Sequence, residues 1–70
     1  ALEKYRETYL TPPKIKGSKA VFISEETRSA LDMIVLRLGS RGMSVSGLLE
    51  NLARRHLETY RQDIERWRKL

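Results

Sequence analysis

"KAVFISEETRSAL", Lys19 to Leu31, changes its hydrophobic rhythm partway along. The run AVFI sets β-branched and aromatic residues together between Gly17 and Ser18 on one side and Ser24 on the other. That is the composition of a strand of about five residues. Beyond Ser24 the apolar residues return only at three- and four-residue intervals, the spacing of a helix face. A strand so short cannot stand unpaired, because its backbone N–H and C=O groups need partners. The chain offers no second strand, so the expected partner is the same segment of another copy, running antiparallel. Alternation along the strand places Val21 and Ile23 on one face and Ala20 and Phe22 on the other.

Outward from this stretch the pattern is helical. Ser24 is an N-cap, its hydroxyl able to accept from an early helix N–H, and Glu25 and Glu26 fall in the first turn, where the macrodipole favours negative charge. Ala30, Leu31, Ile34, Val35 and Leu38 form a core stripe, with Met33 and Leu36 widening it. Gly39 stands where a helix C-terminus commonly takes a left-handed residue. After the connector GSRGM, Ser44 caps a second helix expected from Val45 to about Arg68. Its stripe runs through Leu48, Leu49, Leu52, Ala53, His56, Leu57, Tyr60, Ile64 and Trp67. Glu50 with Arg54, Arg54 with Glu58, Arg61 with Glu65 and Glu65 with Lys69 are spaced for i,i+4 pairing. The aromatic end of this stripe either extends a dimer core or offers an edge to another protein.

Upstream, ALEKYRETYL has near-helical spacing of Leu2, Tyr5, Tyr9 and Leu10, and Pro12 and Pro13 stop any helix there. TPPKIKGSK is then a basic stretch, either a solvated connector or an arm whose Lys14, Lys16 and Lys19 touch phosphates. Residues 1–18 therefore read as an N-terminal segment with a basic linker, and residues 19–70 as the folded domain with an extended final helix. The chain begins inside a helical pattern and reads as a fragment of a longer protein.

Seventy residues make one domain at most. A chain of that size buries only about 60% of the surface its unfolded form exposes, so added core is needed. With no Cys and a single His, neither disulfides nor a structural zinc site supply it, which leaves oligomerisation. Fourteen Lys and Arg against nine Asp and Glu give a net charge of +5. That balance favours polyanions. No signal-peptide pattern and no apolar run near the ~20 residues of a membrane span occurs, so a soluble, cytoplasmic protein without membrane partners is expected.

Catalytic material is thin. His56 lies on or beside the apolar stripe, and no Cys, recognisable catalytic spacing, glycine-rich phosphate loop or carboxylate cluster accompanies it. A binding module is expected, with no enzyme activity, no metal and no cofactor. A helix-turn-helix is a poor fit, since its reading helix would present Val45, Ser46, Leu48 and Leu49 to bases. A strand ahead of two helices, paired across two chains into a ribbon that enters the major groove, explains the orphan strand directly.

VFISEETRSAL followed by GMSVSGLLENLARRHL resembles the ribbon-helix-helix family of dimeric DNA-binding proteins over residues 18 to about 58. From YRETYL through HLETYRQDIER the chain is also similar to small accessory proteins of conjugative and mobilizable transposons of Bacteroides and relatives. The first resemblance implies a mainly α fold with one short strand, an intertwined homodimer joined by an intermolecular antiparallel two-stranded ribbon. It implies a dimer core of Val21, Ile23, Leu31, Ile34, Leu49 and Leu52. It also implies double-stranded DNA as partner, base-facing ribbon positions at Ser18, Ala20 and Phe22 beside Lys19, and a phosphate held at Ser44, Val45 and Ser46 by free helix donors. Lys14, Lys16 and Arg41 are expected to add phosphate contacts.

Ala20 and Phe22 depart from the family pattern, because neither can make the bidentate hydrogen bonds that read guanine or adenine. The second resemblance implies a role in mobilization, excision or transfer, or in repression of the protein's own operon. The alternative is a dimerising interaction module that recruits a relaxase or recombinase without reading DNA sequence.

Overall fold

The computed structural model describes residues 2–68 of the chain. It contains α1 (Leu2–Tyr9), α2 (Glu25–Leu38) and α3 (Val45–Arg68), and α1 and α2 each pack on α3. The described chain is mainly α, as expected.

Each helix starts and stops for local reasons. In α1, Tyr5 and Tyr9 stack one turn apart with ring centroids 4.9 Å from each other. The Leu10 N–H closes the last turn onto Arg6 O at 2.9 Å before Pro12 and Pro13 end it. Ser24 caps α2 as its sequence foretells, its Oγ accepting from Thr27 N at 3.1 Å. Ser44 does the same for α3, accepting from Gly47 N at 3.0 Å.

The end of α2 differs from expectation. Gly39 is not left-handed but extended, with φ −73° and ψ 153°, and its N–H donates to Val35 O. Glycine is needed there because a Cβ would run into the Val35 carbonyl. The left-handed turn falls three residues later, at Gly42 with φ +84°. One of the orphan carbonyls at the end of α2, Leu38 O, accepts from Arg6 Nε of α1 at 2.9 Å.

The strand expected over Ala20–Ile23 is not formed. Residues 18–23 carry no secondary structure, and among the described residues they share no backbone hydrogen bond with another segment. The physical reason lies in the definition of a strand: it exists by pairing, and one chain brings no second edge to this segment. No ribbon, intermolecular or otherwise, is part of the described chain, which has no strand among its described residues.

Only Leu10, Val45 and Leu48 are fully buried apolar residues among those described, with Leu10 2% and Leu48 0% exposed. Leu10 comes from just beyond α1, so the N-terminal segment supplies part of the core. The core of a single chain is nonetheless small. A compact monomer of 8.2 kDa exposes about 4,500 Å², whereas this chain exposes 6463 Å². Its radius of gyration of 13.9 Å likewise exceeds the roughly 11 Å of a compact chain of this length. Much of the excess is α3, whose 24 residues run about 36 Å. No helix among the described residues is long and apolar enough to cross a membrane.

Candidate nucleic-acid interface

The residues expected to meet DNA lie in two places. Ser18, Lys19, Ala20 and Phe22 all sit in the irregular segment ahead of α2 and are exposed. Phe22 is 96% and Val21 73% exposed, which is unusual for large apolar side chains side by side. Ile23 is half-buried beside them.

The second place is the start of α3. Ser44 and Ser46 are exposed, whereas Val45 is buried at 7% exposure, so its side chain is not offered to a ligand. Ser44 Oγ is already engaged by Gly47 N, and the Leu48 N–H donates to Ser44 O at 3.0 Å. The N–H groups of Val45 and Ser46 remain at the helix end, where the dipole is positive.

The start of the basic segment reaches the first turn of α3 through Pro13. A Cβ on the buried Gly47 would lie 3.1 Å from Pro13 Cδ, so the proline ring rests directly against the first turn of α3. Lys14 follows Pro13 and is exposed, as is Lys16. Arg41 is exposed on the connector between α2 and α3, whose Ser40 Oγ donates to Leu10 O at 3.3 Å. Thus the stretch read as an arm is held in place rather than loose at residues 9–14.

Three side chains do this holding, and of them the sequence points only to Arg54, as a partner for Glu50 and not for the basic segment. Asn51 Nδ2 donates to Tyr9 O at 2.7 Å and to Thr11 O at 2.9 Å. Arg54 Nη2 donates to Lys14 O at 2.7 Å while its Nε pairs with Glu50 at 2.6 Å. Arg6 ties α1 to α2. The only trace of this in the sequence is Asn51, a weak helix former beside an apolar stripe. Of the expected i,i+4 pairs Glu50–Arg54 forms, Arg54–Glu58 and Arg61–Glu65 do not, and Glu65–Lys69 lies outside the described residues. Arg28–Asp32, at 3.6 Å, forms on α2.

Of the residues expected in a dimer core, Ile23, Leu31, Ile34, Leu49 and Leu52 are half-buried, and Val21 is exposed. They lie at the surface of the single chain. His56 stacks on Tyr60 with ring centroids 5.0 Å apart, and among the described residues no group of His, Asp and Glu is arranged to hold a metal ion.

The class these features define is a small, basic, mainly helical domain whose apolar surface exceeds what its own core covers. The chain belongs to DUF3408, a family of proteins of unknown function, whose pattern it matches over residues 1–69. No curated protein and no solved structure matches it.

Proposed function

We propose that this chain is a dimeric DNA-binding accessory protein of a mobile genetic element, acting in mobilization, in excision and transfer, or in autoregulation. In this reading two copies pair their Ser18–Ile23 segments into an antiparallel ribbon that enters the major groove. The observation that carries it is the exposure of Val21 and Phe22 on an unpaired segment directly ahead of the Ser24 cap. Such a segment gains both its backbone partners and its apolar cover by pairing with a second copy. A net charge of +5 per chain suits a polyanion, and Pro13, next to Lys14 in sequence, rests against the first turn of α3.

Phosphate contacts from Lys14, Lys16, Lys19 and Arg41, with the Val45 and Ser46 N–H groups, position the dimer on the duplex. The ribbon faces bases with Ala20 and Phe22, so its direct readout is apolar contact with thymine methyls rather than hydrogen bonding.

A mobility-shift titration of the purified protein against duplex DNA at stepped salt concentrations tests this. Binding that weakens steeply with salt, with a slope reduced by about one in Lys19→Ala, is the expected result. The hydrogen-bond-poor faces of Ala20 and Phe22 favour a second reading, a dimerising module that recruits a relaxase or recombinase. An intact dimer that fails to shift DNA at about 50 mM salt would select it.

A further inference from the structure

α3 presents an apolar stripe that is half-buried at Leu49 and Leu52 and exposed from Ala53 outward among the described residues. Leu49 and Tyr60, Ala53 and Ile64, and His56 and Trp67 are each eleven residues apart. An 11-residue period is about 3.67 residues per turn, close to the 3.6 of the α-helix, so the stripe runs nearly straight along the helix for about 27 Å. Its two ends differ in bulk. Near the domain it is a shallow hollow bordered by Tyr9, Leu49, Leu52 and Ala53, and it continues past His56 and Tyr60. At the far end Ile64 and Trp67 line a second shallow hollow with His56, Tyr60 and Asp63, and Trp67 is 76% exposed.

We propose that this stripe is a self-association surface, on which α3 of a second copy lies antiparallel. Three observations select a second copy and that direction. The first is area. The chain exposes about 1,900 Å² more than a compact monomer of its mass, an excess the stripe shares with the Val21 and Phe22 segment, so each copy carries apolar surface for a partner of its own kind.

The second is shape. Antiparallel superposition lays the bulkier end of each helix along the end of the other that carries Ala53, Ile64 opposite Ala53 and Trp67 opposite Leu49, with the small Ala53 leaving room for the large side chains. In a parallel pair Trp67 would meet Trp67, and Ala53 would face Ala53 across a gap.

The third is charge. Arg55 borders the near hollow and Asp63 the far one, and their eight-residue separation on an α-helix puts both to the same side of the stripe. An antiparallel pair meets like flank with like flank, so Asp63 of each copy comes beside Arg55 of the other. This contact needs no DNA, but it shares Leu49 and Leu52 with the dimer core of the proposed function.

Disulfide trapping tests it cleanly because the chain has no cysteine. Ala53→Cys and Ile64→Cys proteins, mixed in a glutathione redox buffer, are expected to give mainly the mixed dimer, in which one variant is joined to the other, with little product joining two copies of the same variant. Predominance of those same-variant dimers would overturn the antiparallel direction. Absence of any cross-linked dimer, with helical circular dichroism intact, would overturn the contact.

The chain's single tryptophan gives a second readout. Trp67 emission should be blue-shifted at high protein concentration and move red on dilution, and water-like emission at every concentration would also overturn the proposal. Phe22→Cys, placed near the two-fold of a ribbon, reports that contact separately by a disulfide between two copies of this one variant. Failure of the ribbon and failure of the α3 pairing are thereby told apart.

Discussion

The side-chain amide of Asn51, nearly two turns into the chain's longest helix, lies 2.7 Å from the main-chain oxygen of Tyr9. Its second hydrogen bond, to Thr11 O at 2.9 Å, spans the point where α1 gives way to the proline pair. One side chain therefore fixes both the end of α1 and the entry of the basic segment. Without it, two carbonyls lose their donors, and the chain from Leu10 to Lys14 keeps Leu10 burial, the Pro13 contact with Gly47, and the bonds from Ser40 and Arg54.

Asn51→Ala should destabilise the protein by about 1–3 kcal/mol, the cost of hydrogen bonds removed from a partly buried site. Asn51→Asp should cost more, because a carboxylate cannot donate and would face two carbonyl oxygens. Urea denaturation measures both. Trypsin should cut faster after Lys14 and Lys16 in either variant. Cleavage no faster than in the parent would show that Asn51 does not hold this segment.

Gly47 gives a prediction with two opposing terms. Alanine in the first turn of α3 gains helix propensity, worth about 1 kcal/mol over glycine. Its Cβ, however, would sit 3.1 Å from Pro13 Cδ and 3.3 Å from Met43 Cε. Met43 can swing away, but Pro13 is a rigid ring tied on both sides through Thr11 O and Lys14 O. Gly47→Ala should therefore bring no gain in the parent protein and should stabilise once Pro13→Ala has removed the ring. A double-mutant cycle in urea reads the difference. Equal effects in both backgrounds would mean that Pro13 does not press on the helix.

These two contacts also mark where the sequence stops being readable. The helices are legible because their signals are local: Ser24 and Ser44 with the residues they cap, Pro12 and Pro13 as stops, and the spaced apolar stripes. The bounds of α3, Val45–Arg68, follow from an uninterrupted stripe. Docking of residues 9–14 is not legible, because it depends on side chains of α3 meeting main-chain oxygens some forty residues away, and no short-range pattern encodes that. Gly39 shows a subtler failure. A glycine after a helix predicts a left-handed residue, whereas this one serves closeness to Val35 O, and the left-handed residue is Gly42. For the candidate site, the residue types are legible and their surroundings are not. Pro13 and Gly47 lie far apart in sequence but meet at the first turn of α3.

The N-cap of α2 isolates a purely local contribution. Ser24 is exposed, and its side chain takes one backbone bond from the helix, the 3.1 Å contact from Thr27 N, so Ser24→Ala should cost about 1 kcal/mol. Ser24→Asp should recover most of that loss, since a carboxylate accepts the same bond and suits the positive end of the helix. Thermal or urea unfolding of the pair decides it. Equal losses in both would place the role of Ser24 elsewhere than in the cap.

Val21→Asp separates the single chain from the proposed ribbon most sharply. In the chain alone Val21 is 73% exposed, and an aspartate there stays in water, so stability should change by less than about 0.5 kcal/mol. In a ribbon dimer the same position turns inward with Ile23, and the substitution sets two like charges without partners in a shared apolar core. A charge buried that way protonates or breaks the contact. The proposal therefore expects Val21→Asp to abolish dimer and fold together, read by sedimentation and circular dichroism on the same sample. A helical Val21→Asp protein of parental stability would leave Phe22 and its neighbours without a ribbon, and would remove the DNA reading that rests on it.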